Sequence, residues 1–152
     1  MALRYFNVFG PRQRPDSEYA AVIPRFISAL AHGRQPEIYG DGSQTRDFTY
    51  VGDVVQANLA ASTSKKAVGQ VMNIACGGRR SLLDVLTRLE KLMATDVKPV
   101  YHPWRTGDVR HSQASIEKAQ MVLGFSPLVD FGAGLQETVK WHVGNRVNEP
   151  VA

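Results

Sequence analysis

A β-favouring run that stops at Gly10-Pro11 places the strongest constraint on how this chain folds. The run Leu3–Phe9 is rich in aromatic and β-branched residues, so it predicts a strand that ends in a turn. Asn7 is the only neutral amide in the run and stands near its carboxyl end, where open α/β sheets bind their ligands. Local chemistry leaves two interpretations of Asn7, a ligand contact or a group that satisfies the turn after it.

Composition narrows the class of protein. The 152 residues, 43% of them hydrophobic, are enough for one small domain. A single cysteine, Cys76, excludes an internal disulfide and suits the reducing cytoplasm. The net charge of +4 is scattered along the chain, so nucleic-acid binding is not expected. No apolar run approaches the roughly 20 residues of a membrane span, and the four histidines lack the spacing of a metal site.

Two longer blocks resemble one family. Arg4-Tyr-Phe-Asn-Val-Phe-Gly-Pro-Arg-Gln13 and Ile38-Tyr-Gly-Asp-Gly-Ser-Gln-Thr-Arg-Asp-Phe-Thr-Tyr-Val-Gly-Asp-Val54 are similar to segments of the extended short-chain dehydrogenase/reductases. The resemblance is to the NAD-dependent epimerases and dehydratases of nucleotide sugars, with the UDP-glucose and UDP-N-acetylglucosamine 4-epimerases as nearest relatives. It runs from about residue 2 to residue 142. It implies an α/β fold, the last strands of a Rossmann-like sheet plus a small substrate-binding subdomain, over residues 1–145 with a tail at 146–152.

Motifs of the amino-terminal half of that family do not occur in these residues. There is no Gly-x-x-Gly-x-x-Gly or Gly-x-Gly-x-x-Gly to hold a pyrophosphate, and none of the five tyrosines has a lysine four residues later. In the family that Tyr-x-x-x-Lys pair removes the sugar hydroxyl proton while hydride leaves C4 for NAD and later returns to the other face. We therefore expect no catalytic residue here and no tight NAD binding by this chain alone, although Tyr5 and Phe6 match positions that line the nicotinamide.

The resemblance assigns six residues to the nucleotide sugar. Asn7, in the first resembling block, is expected to contact the substrate. In the family, the positions of Val22 and Tyr39 lie near the uridine and the base, and the arginine of Arg-Asp-Phe/Tyr, here Arg46, holds the diphosphate. In the family's Arg-x-Gly-Asp the arginine meets the phosphates and the aspartate the ribose, which implies Arg105 and Asp108; Arg12 is a further, weaker candidate. The residues themselves leave other interpretations open: a half-buried strand aromatic for Tyr39, a surface ion pair of Arg46 with Asp47 or Asp41, and an Arg105–Asp108 pair.

Local signals predict the helices. A helix is expected to begin at Pro24 and to end with Gly33 at the C′ position, and Asp53 is expected to cap another helix that buries Val54, Val55 and Leu59. The pattern Ser81-x-x-Asp84 indicates a further helix start. Ser115 is expected to cap a short helix that ends at Gly124, and a last helix is expected over about 131–145.

Two hypotheses about function follow. In the first, the chain is the nucleotide-sugar-binding part, for a UDP-sugar, of an NAD-dependent enzyme, and the catalytic pair comes from an amino-terminal Rossmann half or another polypeptide. In the second, it is a non-enzymatic module for nucleotide-sugar binding or oligomerisation. A strand that has lost its neighbours exposes its edge, so both hypotheses predict a partner, such as a homodimer in which domain swapping is one route.

Overall fold

The computed structural model describes residues 1–16 and 21–144. Five α-helices and eight short strands occur in this part of the chain. The helices are α1 (Val22–Ala31), α2 (Val51–Thr63), α3 (Leu82–Met93), α4 (Glu117–Leu123) and α5 (Phe131–Gly144). The strands are β1 (Ala2–Tyr5), β2 (Val8–Phe9), β3 (Glu37–Tyr39), β4 (Thr45–Arg46), β5 (Thr49–Tyr50), β6 (Val71–Ile74), β7 (Arg80–Ser81) and β8 (Val100–His102). The predicted tail at 146–152 lies outside the described residues, as does the expected last residue of the final helix.

The strands form four two-stranded pairs, and three of them are parallel. β1 pairs with β6 from Ala2↔Val71 to Tyr5↔Ile74, β2 pairs with β5, and β3 pairs with β8. Only β4 and β7 run antiparallel, with Arg46 opposite Arg80. Parallel pairs joined by helices are typical of α/β folds, and this confirms the α/β fold class inferred from the sequence.

Two apolar clusters hold these elements together. The larger one packs α1, α3 and α5 around the side chains of Phe9, Ile38 and Phe48, and the smaller one lies between β6, α2 and α4 around Met72 and Ile74. The larger cluster includes Ile38 of β3 and Phe48, which follows β4 by two residues. It therefore anchors the chain beside Tyr39 and close to Arg46.

Helix ends follow their local signals closely. At the end of α1 the Gly33 N–H donates to the Leu30 carbonyl and the Arg34 N–H to the Ala29 carbonyl, the Schellman pattern predicted by Gly33 at C′ with φ +63°. Ser81 Oγ accepts the Asp84 N–H at 3.0 Å, which confirms the predicted start of α3. Gly124 is the left-handed C-cap of α4, as expected. Ser115 lies one residue before the N-cap position of Ile116, and its Oγ accepts the N–H of Glu117, the first residue of the helix, at 3.4 Å.

Three local predictions are wrong. The expected first strand is broken, because Asn7 has φ +36° and separates β1 from β2. Helix α1 begins at Val22, so Pro24 is its third residue rather than its first. Helix α2 is capped by Tyr50 and not by Asp53, which lies in the first turn and accepts the Leu128 N–H at 2.9 Å.

The buried face of α2 also differs from the expectation. Val54, Ala57 and Ala61 are buried, whereas Val55 and Leu59 are 50% and 58% exposed. Residues 54, 57 and 61 lie on one side of a 3.6-residue helix, and residues 55 and 59 belong to another side. The helix therefore packs a narrow stripe of small residues onto β6 and leaves larger apolar side chains outside.

No helix in the described ranges combines the length and apolar character that a bilayer crossing needs. Over the same residues, no group of three or more histidine, cysteine or acidic side chains is placed to hold a metal ion.

Candidate functional site

A cleft of about 470 Å³ lies between the start of α1, the ends of β3 and β4, and the loop after β8. We call it the α1 cleft. It brings together all six residues that the resemblance assigned to a nucleotide sugar: Asn7, Val22, Tyr39, Arg46, Arg105 and Asp108. These residues span about a hundred positions of the chain, and the fold brings them together in the lining of one cleft.

Tyr39 lies at the centre of a stack of flat groups. In the parallel pair β3–β8 it stands opposite His102, and the two rings stack with centroids 4.9 Å apart. The Cζ atom of Arg105 lies 3.6 Å from the centroid of the Tyr39 ring, a cation–π contact. A guanidinium that covers a ring still has its in-plane N–H donors available, so Arg105 can receive an anion without leaving the tyrosine.

The loop that carries Arg105 and Asp108 is a tight turn. The Asp108 N–H donates to the Arg105 carbonyl at 3.2 Å, and Gly107 has φ +88°, which suits a glycine at the third position of a type II turn. Among the described residues no ion pair joins the two side chains, so the Arg105–Asp108 pairing that the sequence left open is not found. Both side chains line the α1 cleft and are exposed.

Arg46 is held by backbone rather than by a carboxylate. Its Nη1 donates to the Thr45 carbonyl at 2.9 Å and to the Arg110 carbonyl at 3.4 Å. No ion pair of Arg46 with Asp47 or Asp41 occurs in the described part of the chain. Asp41 instead accepts the N–H and O–H of Ser43. The guanidinium of Arg46 is therefore fixed at the cleft with donors to spare and without a neutralising acid.

Asp47 has a structural role behind Arg46. Its side chain is fully buried and accepts the N–H groups of Cys76, Gly77 and Ala114 at 2.9, 3.1 and 3.2 Å. Burial raises the pKa of Asp47 above its ordinary value, and the three backbone donors act in the opposite direction. Asn7 adds to this tie, since its Nδ2 donates to the Asp47 carbonyl at 3.0 Å. The Asn7 amide thus bonds a backbone group 40 residues away and not the turn at Gly10-Pro11, and Asn7 also lines the cleft.

The start of α1 and further arginines complete the cleft. Val22 is the first residue of the helix, and Ala21 offers no side-chain cap, so backbone N–H groups of the first turn lack an intrahelical acceptor. Arg25 and Arg34 also line the cleft, and Arg25 pairs with Glu37 at 3.2 Å. Four arginines against two carboxylates among the lining residues leave the cleft positive, which favours an anionic ligand.

Sequence reasoning missed Gln44 and the two extra arginines. Gln44 is buried, and its Nε2 donates to the Tyr39 carbonyl at 2.6 Å, which links the two strands of the site. The available sequence signal for Gln44 was its position inside the second block that resembles the family. A neutral amide that becomes buried there needs a hydrogen-bond partner. Arg25 and Arg34 carried no signal, since the sequence does not show that this side of α1, or the loop after it that carries Arg34, faces the cleft.

Tyr5, Phe6 and Arg12 lie outside the α1 cleft. Tyr5 is 47% exposed, and its hydroxyl donates to Asn58 Oδ1 at 2.9 Å. Arg12 lines a second cavity of about 440 Å³, together with His32 and Trp141. The 152 residues contain no Gly-x-Gly-x-x-Gly motif to hold a pyrophosphate. That this chain alone does not bind NAD tightly stays a prediction.

Comparison with known proteins places this geometry in a family. The model of the NAD-dependent epimerase/dehydratase family matches residues 1–75. The UDP-N-acetyl-alpha-D-glucosaminuronate decarboxylase of Bacillus cytotoxicus is 37% identical over 145 residues, which cover 91% of this chain and 44% of the relative. This chain belongs to the NAD-dependent epimerase/dehydratase family.

Solved structures agree with the assignment. The UDP-N-acetylglucosamine 4-epimerase of Methanobrevibacter ruminantium, in complex with UDP-N-acetylmuramic acid, is 43% identical with a TM-score of 0.89 over 95% of this chain and 46% of its own. The UDP-glucuronic acid 4-epimerase of Bacillus cereus, in complex with UDP-glucuronic acid and NAD, is 36% identical with a TM-score of 0.84 over 91% of this chain and 43% of its own. The chain spans less than half the length of these family members, and the fold is that part of an extended short-chain dehydrogenase/reductase.

Proposed function

We propose that this chain is the nucleotide-sugar-binding part of an NAD-dependent epimerase or dehydratase and that its α1 cleft binds a UDP-sugar. One observation carries the proposal: Arg46 and Arg105 reach the same cleft from different elements, and neither is paired with a carboxylate in the described residues. Two unneutralised guanidinium groups beside a tyrosine ring suit a diphosphate attached to a flat base.

Each residue has a role that its chemistry supports. Arg46 and Arg105 hold the diphosphate, and the base packs against the flat unit of Tyr39 and Arg105, near the start of α1 at Val22. The Asp108 carboxylate accepts hydrogen bonds from the ribose hydroxyls, and the Asn7 amide contacts the sugar. Binding energy and orientation are then the contribution of this chain to any reaction.

The chemical step needs groups that these residues do not contain. With no Tyr-x-x-x-Lys and no Gly-rich turn in the sequence, the base and the NAD cradle come from an amino-terminal Rossmann half or from another polypeptide. Strand β1 pairs only with β6 among the described strands, so its second edge is open to such a partner or to a second copy of this chain. We propose the cytoplasm as its compartment, where Cys76 stays a free thiol.

A non-enzymatic binding or oligomerisation module is the second candidate. It is favoured by the fact that the six predicted ligand residues all lie within this chain, whereas the catalytic pair does not. Adding an amino-terminal half separates the candidates. Turnover or NAD binding in the mixture supports the enzyme part, and UDP binding with neither supports the module.

A thermal-shift titration tests the cleft. The isolated chain is titrated with UDP, dTDP, GDP and NAD, and the titration is repeated with Arg46→Ala and with Arg88→Ala. Arg88 is the matched control, because it pairs with Asp84 on α3 at 3.2 Å and does not line the cleft. Ligand at a hundred times its Kd stabilises the folded chain by about 2.7 kcal/mol.

The proposal expects UDP to raise the melting temperature of the wild-type chain and of Arg88→Ala. Charge-assisted hydrogen bonds contribute about 1.5–3 kcal/mol, so Arg46→Ala weakens binding roughly 10- to 150-fold. At the same UDP concentration the stabilisation should then fall from about 2.7 kcal/mol to between about 1.4 and 0.3 kcal/mol, and the thermal shift should fall with it. A wild-type chain that no nucleoside diphosphate stabilises, or an Arg46→Ala shift equal to that of the wild type, contradicts the proposal.

A further inference from the structure

Trp104 packs against Gly40, and each is the chain neighbour of a residue that lines the α1 cleft. A Cβ atom built on Gly40 would lie 2.5 Å from Trp104 Cε2 and 2.6 Å from Cδ2, closer than any real side chain allows. Gly40 also has φ +89°, a conformation that other residues rarely adopt. Glycine at this position therefore serves two needs, the turn after β3 and the close approach of the indole.

This contact joins the two segments that carry the base-side residues of the cleft. Gly40 directly follows Tyr39, and Trp104 directly precedes Arg105. The Gly40 N–H donates to the His102 carbonyl at 2.9 Å, which extends the β3–β8 pairing to the position where the indole sits. The Cζ atom of Arg110 also lies over the ring of Trp104, 5.7 Å from its centroid.

Backbone restraints on this loop are few between Trp104 and its far end at Arg110. Residues 103–110 are all exposed, and the turn from Arg105 to Asp108 is closed by a single backbone hydrogen bond. At the far end the Arg110 carbonyl accepts the Thr45 N–H at 2.9 Å, and the Arg110 side chain pairs with Asp41 at 3.9 Å. A loop of this kind loses conformational entropy when a ligand orders it, and contacts that order it beforehand improve affinity. Trp104 is the large side chain of the loop that packs on another element next to Arg105.

We propose that Trp104 is a positioning residue of the nucleotide-sugar site. It holds the loop of residues 104–108 on the Gly40 turn, so that Arg105 stays over Tyr39 and Asp108 stays at the cleft. This inference rests on the proposed function for its effect on ligand binding, whereas its effect on the loop is independent of any ligand.

Two readouts test it on the wild-type chain, Trp104→Ala, Trp104→Phe and Trp104→Leu. The control is Tyr101→Ala, because Tyr101 is an aromatic on β8 with similar exposure, 54% against 45%, and does not line the cleft. The first readout, without ligand, is the rate of trypsin cleavage after Arg105, measured by mass spectrometry against cleavage after Lys65 and Lys66. The second is the Kd for UDP from calorimetry.

We expect Trp104→Ala to be cut after Arg105 about tenfold faster than the wild type, with cleavage at Lys65 and Lys66 unchanged, and to bind UDP about tenfold more weakly. Trp104→Phe, which keeps a flat ring for Gly40, should recover most of both losses, and Tyr101→Ala should show neither. If Trp104→Ala does not fold, shown by parallel cleavage at Lys65 and Lys66, the comparison of Trp104→Leu with Trp104→Phe gives the same test. In that case Trp104→Leu should be cleaved after Arg105 faster than Trp104→Phe.

The outcomes separate this inference from the proposed function. A wild-type chain that binds no nucleotide, while Trp104→Ala still loosens the loop after Arg105, refutes the proposed function and supports the positioning role. UDP binding by the wild type with an unchanged Kd in Trp104→Ala, or an unchanged cleavage rate after Arg105, overturns the positioning role.

Discussion

Replacing Asp47 with alanine removes the buried carboxylate that joins three separate segments of the chain. The Asp47 carboxylate accepts hydrogen bonds from the N–H groups of residues 76, 77 and 114. In sequence, Asp47 stands between Arg46 and Phe48, which both line the α1 cleft. Alanine supplies no acceptor, and no other acceptor for these N–H groups is found in the described residues. The substitution should therefore lower the free energy of unfolding, because it destabilises the folded chain and leaves the unfolded chain nearly unaffected.

The size of the loss follows from the burial of each donor. An unsatisfied buried donor costs about 1–3 kcal/mol. Ala114 is buried, so its N–H should cost near the upper figure, whereas Cys76 and Gly77 are half-buried and partly reached by water. The total for Asp47→Ala is about 4–5 kcal/mol on that basis. Asp47→Asn keeps one oxygen for the donors of Gly77 and Ala114 and loses only the bond from Cys76, so it should cost about 1–2 kcal/mol.

Urea unfolding followed by circular dichroism at 222 nm measures both losses. The midpoint should fall in the order wild type, Asp47→Asn, Asp47→Ala, with an unchanged m-value. Asp96→Ala is the control, since Asp96 belongs to an exposed pair with Lys98 and should leave the midpoint where it is. A loss below about 1 kcal/mol for Asp47→Ala, or equal losses for alanine and asparagine, would refute the reasoning about the three donors.

Three further predictions concern other parts of the chain. Burial raises the pKa of the Cys76 thiol to about 11, so at pH 8 its thiolate fraction should be about a hundredfold below that of an ordinary thiol. Iodoacetamide should modify the folded chain correspondingly slowly and the urea-unfolded chain at the normal rate, and equal rates would contradict this. Gly134→Ala should lower stability by about 1–3 kcal/mol although alanine favours helices, because overpacking of this size is typical when a core has no room. Its Cβ would lie 2.8 Å from the Tyr50 ring and 3.1 Å from the Phe9 ring. Gly144→Ala, which meets nothing within 4 Å, is the matched control in thermal unfolding, and an equal effect of both would show that packing is not the cause. The open edge of β1 predicts self-association, so sedimentation should show a dimer at micromolar concentration, and a stable monomer would exclude it.

Short-range signals predicted the parts of the fold that depend on short-range physics. The helix start at Ser81 and the helix ends at Gly33 and Gly124 each depend on hydrogen bonds or dihedral angles within a few residues, and each is found. Asp53 failed as a cap for the opposite reason. The chain already turns into the helix at Tyr50, and the Asp53 carboxylate is taken by the N–H of Leu128, 75 residues later.

At the site too, features that depend on distant contacts could not be predicted from neighbouring residues. Arg46 and Asp47 are neighbours in sequence, which suggested an ion pair, but successive residues of extended backbone point to opposite faces. Arg46 therefore faces the cleft, and Asp47 faces the interior. The six candidate ligand residues were predicted through the resemblance, because no periodicity links position 7 to position 105. The contact between Gly40 and Trp104 had no sequence signal, since a glycine in a turn shows its own dihedral freedom and not what packs on it.

The most direct test of the central claim is an amide NMR titration of the isotope-labelled chain with UDP. If the α1 cleft binds the nucleotide, the largest shift changes should occur at Val22, Tyr39, Arg46 and residues 105–108, with a common Kd. Largest changes around Arg12 and Trp141 in the second cavity, or no saturable change at millimolar UDP, would contradict the account.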